Sequence, residues 1–287
     1  MICRRGDRRG ASAGFVLAEL LVALMIAAII GVSLTQLVVS QSRFVALQGA
    51  LMQARSGARA ALNVMATDFR MVSDSGLIQA HPDSVTVRVP YAFGVSCNQF
   101  RGRLVVGLLP ADSAAYASAT PSGYAWRDST GKFVFVEPAT VGRAFGPGCR
   151  SGFINPPVTV LSAPGWPATY VAVRPNDIRT VPGTVVYLYQ LVRYAFAPSM
   201  QLPGRIGLWR TVLSTGQRDE LVAPFDTSAR FLFLDSVYAA AASPPADLNN
   251  VRGLRLVLAA ASETAPEGRP LPLRFNLTTD VVFRNHR

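Results

Sequence analysis

The residue that most needs a chemical explanation is Glu19, because no ionisable side chain follows it from Leu20 to Ser42. An α-helix needs about 20 apolar residues to cross the hydrocarbon core of a bilayer, so this stretch reads as a membrane-spanning helix. A carboxylate at the centre of such a helix costs roughly 2.5 to 3.5 kcal/mol on insertion scales, and somewhat less near the end, where Glu19 lies. An acid in that position invites a functional explanation.

Elsewhere the supply of reactive groups is thin. His81 and His286 are the only histidines. His81 precedes Pro82 at a strand entry and His286 is the penultimate residue, and neither has the partner spacing that acid–base catalysis or metal binding requires. Gly131-Lys132 ends like a phosphate-binding loop, but Phe133 stands where Ser or Thr belongs and the preceding glycine spacing is wrong, so a turn between strands is the reading. No enzyme activity, cofactor or metal is expected. Of three cysteines, Cys3 lies in the amino-terminal segment, leaving Cys97 and Cys149 as an even pair that suits a disulfide in an oxidising compartment. Closing a loop of about 52 residues would stabilise the fold by roughly 4 kcal/mol in the chain-entropy model. Two buried free thiols are the alternative.

The segment before the apolar run sets orientation. It holds Arg4, Arg5, Arg8 and Arg9 against Asp7, and cytoplasmic flanks carry the excess of basic residues. The amino terminus therefore stays inside, and everything after the apolar run crosses to a periplasm-like space. A signal peptide also begins with basic residues, but its apolar region spans about 7 to 15 residues and its small-residue cleavage site follows that region. Here the run is longer, and Ala11, Ser12, Ala13 and Gly14 precede it. An ordinary signal anchor fits the hydropathy, yet it gives no reason for the relative positions of Phe15 and Glu19.

Gly14-Phe15-Val16-Leu17-Ala18-Glu19 resembles the prepilin signature of type IV pilins and type II secretion pseudopilins. The resemblance implies that a prepilin peptidase cuts between Gly14 and Phe15 and methylates the new amino terminus on Phe15. Glu19 would then pair with the terminal ammonium of a neighbouring subunit and align two helices during filament assembly in the inner membrane. A buried charge is tolerated when an opposite charge and hydrogen bonds satisfy it, which accounts for the acid. Further along, Val192-Arg193-Tyr194, Gly207-Leu208-Trp209-Arg210, Phe231-Leu232-Phe233-Leu234 and the run from Asn276 to Asn285 look like the strand order of PilW-like minor pilins and the related GspJ-type pseudopilins. The implied fold is a long helix followed by a β-rich head. The implied partners are other minor and major pilins, engaged through the helix, and the implied place is the tip of a pilus. A minor pseudopilin of a type II secretion system is the alternative.

Helical periodicity continues past the apolar run. Phe44, Leu47, Leu51, Ala54, Ala58, Leu62, Met65, Phe69 and Val72 recur at spacings of three and four and form one stripe, with Arg43, Arg55, Arg59 and Arg70 off it. With no proline from Phe15 to Ser73, the spacing predicts one helix of about 59 residues, about 88 Å long, ended by Asp74, Ser75 and Gly76. Beyond Gly76 the period changes to two, as at Val85, Val87 and Val89. Further strands are expected at 103–109, 132–136, 157–161, 169–173, 184–196, 206–213, 229–235, 252–259 and 273–284. The stretches 110–129 and 239–250 read as loops. The predicted class is α+β. A leader at 1–14 is followed by a transmembrane half-helix at 15–42, an amphipathic half-helix at 43–75 and a mostly antiparallel β-rich head at 76–287.

The chain has 287 residues, 50% hydrophobic and 16% charged, which argues against disorder. Its net charge of +11 would fall to +8 without a leader of net charge +3, and Lys132 is the only lysine. That positive charge raises a second class of function. A signal-anchored periplasmic domain could bind DNA or a surface ligand, with arginines on phosphates and exposed Tyr116, Tyr124 and Trp126 stacking on bases. Against it, the arginines are scattered instead of clustered.

Overall fold

The computed structural model describes residues 13–73, 75–143 and 170–283. One α-helix, α1 (Ala13–Met71), runs unbroken for 59 residues. It ends two residues earlier than its periodicity suggests, because Val72 and Ser73 turn inward and are themselves buried. The chain then reverses through Ser75, at φ 59°, with the Gly76 N–H donating to the Ser73 carbonyl at 2.9 Å. Asp74, one of the three expected terminators, lies outside the described residues.

Among the described residues fourteen strands follow, all paired antiparallel. They are β1 (Leu77–His81), β2 (Ser84–Phe100), β3 (Arg103–Leu108), β4 (Gly123–Arg127), β5 (Phe133–Val136), β6 (Thr140–Arg143), β7 (Tyr170–Arg174), β8 (Val185–Pro198), β9 (Ile206–Val212), β10 (Gln217–Phe225), β11 (Arg230–Leu234), β12 (Ala240–Ala241), β13 (Gly253–Ala261) and β14 (Arg274–Val282). The class is therefore α+β. A 3-10 turn at Leu248–Asn250 precedes β13. The expected strand at 157–161 lies outside the described residues.

The stretch 110–129, expected as loop, is instead a helix, α2 (Pro110–Ser118), followed by β4. Pro110 occupies the first helical turn, where its missing N–H costs nothing. Asp112 in the same turn accepts the Phe93 N–H at 3.0 Å, tying α2 to β2. Gly131 and Lys132 form the β4–β5 turn, with Gly131 at φ 81°.

Strands β2 and β8 are the longest-paired, in register from Ser84 opposite Ala195 to Val95 opposite Val185. A bulge between Pro90 and Ala92 interrupts the pairing, at the kind of site where proline is tolerated inside a sheet. Its extra residue reverses the side-chain parity of β2. Val85, Val87 and Val89 face a first core before the bulge, and Ala92 faces a second core after it. In β8 the even residues serve both, Val186 and Leu188 in the second core and Val192 and Tyr194 in the first. The bulge keeps two hydrophobic cores on one face of the shared ribbon.

The first core is roofed by the carboxy-terminal part of α1, which packs on β13, β14, β10 and β2. Ala54, Ala58, Ala61, Met65 and Phe69 are buried, while Arg43, Arg55, Arg59 and Arg70 stay exposed. Alanines let the helix axis sit close to the sheet. At Gly57 an added Cβ would come within 3.4 Å of Val222 Cγ1. The stripe begins later than its spacing suggests, because Leu47 is half-buried but Phe44 is 61% exposed. From Ala18 to Ala46 every residue is exposed.

Two phenylalanines on one helix thus sit in opposite surroundings. In guanidinium titrations of the detergent-solubilised chain, read by tryptophan fluorescence, Phe69→Ala should cost about 3 to 5 kcal/mol. Phe44→Ala should cost less than about 0.5 kcal/mol. Equal losses would mean that head packing extends below Leu47.

Candidate functional site

The amino-terminal half of α1 is apolar on every side and, among the described residues, touches nothing in its own head. Leu20, Met25, Ile29, Leu34 and Val38 are each more than half exposed, and α1 is long and apolar enough to cross a membrane. Two of its hydroxyls are turned back onto the helix. Ser33 Oγ donates to the Ile29 carbonyl at 2.9 Å and Thr35 Oγ1 to the Gly31 carbonyl at 2.5 Å, which satisfies hydroxyls that would otherwise meet hydrocarbon. Gln36 lies in a shallow groove with Val32, Val39 and Ser40.

Glu19 has no such internal partner. It lines a shallow groove with Ala18, Val22, Ala23 and Ile26, and among the described residues no cation pairs with it. Gly14 and Phe15 lie in the opening turn of α1, so both sides of the expected cleavage point are helical backbone. Residues 1–12 of the leader and Cys149 lie outside the described residues, as does His286. Cys97 is buried and disulfide-bonded.

Two polar clusters hold the helix to the head. In the first, the Tyr194 hydroxyl on β8 donates to Asp68 of α1 at 2.5 Å and accepts from Arg210 Nε of β9 at 3.2 Å. Arg210 and Asp68 also form an ion pair at 3.5 Å. Burial and the nearby Asp68 carboxylate push the Tyr194 phenol well up, so it remains a donor. For Arg210 burial opposes the charge, yet Tyr194 and Asp68 outweigh it and the guanidinium is held charged. In the second cluster Arg88 donates to Glu137 through Nε and Nη2, at 3.1 and 2.7 Å, and through Nη1 to the Ser75 carbonyl at 2.6 Å just past the helix end. Tyr189 donates to Glu137 at 2.8 Å, and Arg88 lies 4.2 Å over the Phe135 ring. The Arg88 hydrogen bonds hold the Glu137 carboxyl below its ordinary range.

Neither cluster is visible as a site in the sequence. The available signals are Asp68, an acid at the margin of the apolar stripe between Met65 and Phe69, and the family-like segments that contain Tyr194 and Arg210.

The aromatics named for nucleic-acid stacking are elsewhere. Tyr124 and Trp126 are buried in the second core, and Tyr116 is half-buried against it, because alternation in β4 points both β4 rings inward. Several arginines are already committed to the fold. Arg127 stacks 4.6 Å from Phe133 and Arg218 4.1 Å from Trp209. Arg179, Arg255 and Arg274 pair with Asp177, Asp280 and Asp226 at 2.6, 2.6 and 2.8 Å. His81 is exposed and lies 2.6 Å from Asp83. Among the described residues no group of three or more His, Cys, Asp or Glu is placed to hold a metal ion. Comparison with family models, with curated proteins and with solved structures yields no match.

The two clusters have separable signatures. Tyr194→Phe should cost about 1.5 to 3 kcal/mol, the worth of a hydrogen bond to a charged group. For Glu137 the folded pKa is depressed, so its stabilisation is complete above an ordinary carboxyl value of about 4.3 and is lost as pH falls through the folded value. Denaturation midpoints of wild type and Glu137→Gln should therefore differ at pH 7 and converge on acidification. A constant offset from pH 7 to pH 3 would rule this out.

Proposed function

We propose that this chain is a minor subunit of a type IV pilus-like filament, anchored in the inner membrane by α1 and carried to the filament tip after removal of residues 1–14. The reading is carried by one observation. A single unbroken helix is seated on a β-rich head along its second half, and its bare first half holds one carboxylate, Glu19, that has no partner among the described residues. An apolar helix of that kind needs lipid or other helices around it, and a carboxylate in it needs a cation. The methylated ammonium on Phe15 of a neighbouring subunit would supply one, and the amino-terminal motif supports that assignment. The role is structural. Processing by a prepilin peptidase and packing against other pilins through α1 are the interactions it requires.

The nucleic-acid reading loses the aromatic contacts it relied on, since Tyr124 and Trp126 lie in the core. A minor pseudopilin of a secretion system shares every feature of α1, and no observation favours it over the pilus.

Mass spectrometry of the native protein should give an amino terminus at methylated Phe15. A chain that retains Met1 while working normally would favour a plain signal anchor. Glu19→Ala should reduce recovery in sheared filaments tenfold or more, equivalent to at least about 1.4 kcal/mol of assembly free energy, with the membrane-bound pool unchanged. Normal incorporation would make the ion pair unnecessary.

A further inference from the structure

Strand β14 forms one margin of the sheet. The β13–β14 hairpin, whose Glu267 pairs with Arg43 of α1 at 3.6 Å, leads into nine residues that pair with β13 in unbroken register from Arg274 to Val282. Hydrogen bonds at the two ends fix the parity. The Ser262 N–H donates to the Leu273 carbonyl at 2.8 Å and the Phe283 N–H to the Arg252 carbonyl at 3.0 Å, so the odd-numbered residues bond to β13. The N–H and C=O groups of Arg274, Asn276, Thr278, Asp280 and Val282 therefore point away from it, and among the described residues no strand pairs with them.

An open row of backbone donors and acceptors is a template for another strand, and natural sheets blunt their margins against it. The other margins here follow that rule. Strands β1, β5, β6 and β12 have only two to five residues. Strand β10, which meets β13 only at Phe225, breaks register twice and carries Arg218, Asp219, Glu220 and Pro224. Strand β14 has no bulge, no proline and no lysine. Its two charged side chains are drawn back into ion pairs, Arg274 with Asp226 and Asp280 with Arg255. Its core-facing Phe275 and Leu277 are only partly buried, as is Leu62 of α1, so the first core is unfinished along this margin.

Direction limits what can supply a strand. Arg55 of α1 lies 5.4 Å over the Phe275 ring. Ser75 Oγ, just past the helix end, donates to Asn249 Oδ1 at 2.7 Å, close in sequence to the Arg252 carbonyl that holds Phe283. From Arg55 to Met71 the helix rises about 24 Å, and from Phe275 to Phe283 the strand rises about 27 Å. Helix α1 and β14 thus run side by side in the same direction. A symmetric pair of β14 strands from two copies would be antiparallel and would aim their α1 helices opposite ways, so both could not enter one membrane.

We propose that the open edge of β14 receives an extended strand from a non-identical subunit of the filament. The strand that fits alternates apolar residues, which close the margin beside Phe275, Leu277 and Leu62, with polar residues level with Asn276, Thr278 and Asp280. Main-chain hydrogen bonds to the outward residues of β14 fasten it. This inference rests on the filament reading of the chain.

Tagged full-length chain can be purified from sheared filaments and, in parallel, from membranes in detergent, with amide exchange along β14 read residue by residue by mass spectrometry. In filaments the amides of Asn276, Thr278 and Asp280 should exchange at least about tenfold more slowly, whereas those of Leu277 and Thr279, already bonded to β13, change little. Thr278→Pro removes no bond to β13, because that N–H points outward. It should lower recovery in sheared filaments about tenfold, with Thr278→Val near wild type. Unchanged exchange at 276, 278 and 280 overturns the proposal and leaves the filament reading standing, as does normal recovery of Thr278→Pro or equal loss of Thr278→Val. If Thr278→Pro lowers the denaturation midpoint of the detergent-solubilised chain, the wild-type exchange pattern alone decides. Absence of the wild-type chain from sheared filaments overturns the filament reading itself.

Discussion

Helix α1 has to satisfy two surroundings with one uninterrupted backbone, and the rest of the architecture follows from that demand. Its first half offers apolar side chains in every direction, which water does not favour and a head of this size does not cover. Its second half offers one stripe, narrow and alanine-rich, on which a sheet can close. The carboxy-terminal stripe fixes where the head begins. Once Ala54, Ala58 and Phe69 are in the core, the angle of the bare half relative to the head is set as well. The Asp68, Tyr194 and Arg210 cluster adds direction to a contact that is otherwise apolar and slippery, since hydrogen bonds fix register where burial alone does not.

The sheet extends this frame away from the helix. A second core could have been placed on the opposite face of β2 and β8, where it would have left the first exposed at its border. The bulge after Pro90 prevents that by restoring parity, so one ribbon serves two cores. The opposite face carries Arg88, Phe135 and Tyr189, with Glu137 accepting from both polar partners. Arginine is well suited to such a place because its planar group can stack and donate to two acceptors at once. Part of the positive charge that suggested an anionic ligand is taken up by stacks and ion pairs within the fold.

Elements with an apolar period or run, including the short β3, β5 and β7, are legible in the sequence, and those with polar or loop-like composition are not. The helix can be read because its spacing of three and four persists for many turns and no proline interrupts it. Strands β2, β8, β9, β11, β13 and β14 announce themselves by alternating apolar residues. Strand β10 does not, because Gln217, Arg218 and Asp219 are exposed at its start and Glu220 follows them, four polar residues that leave no apolar period. Helix α2 and β4 are hidden by an Ala-, Ser- and Pro-rich stretch whose composition resembles a loop. Within such a stretch nothing indicates which way the rings of Tyr124 and Trp126 point, so their burial is not legible either. At the site, Glu19 stands out because a lone acid contrasts with everything beside it. Tyr194, Asp68 and Arg210 do not, because only folding brings residues so distant in sequence together.

The bare part of α1 also acts as a lever. From Arg43, where the hairpin last touches it, to Ala13 is about 45 Å, and no proline offers a joint along the way. Over that length, a rocking of the head by about 5° would carry the far end sideways by about 4 Å, nearly the width of a side chain. Small play at the fulcrum is therefore magnified where helices must meet, and the stiffness of the seat governs how accurately a neighbour can be reached.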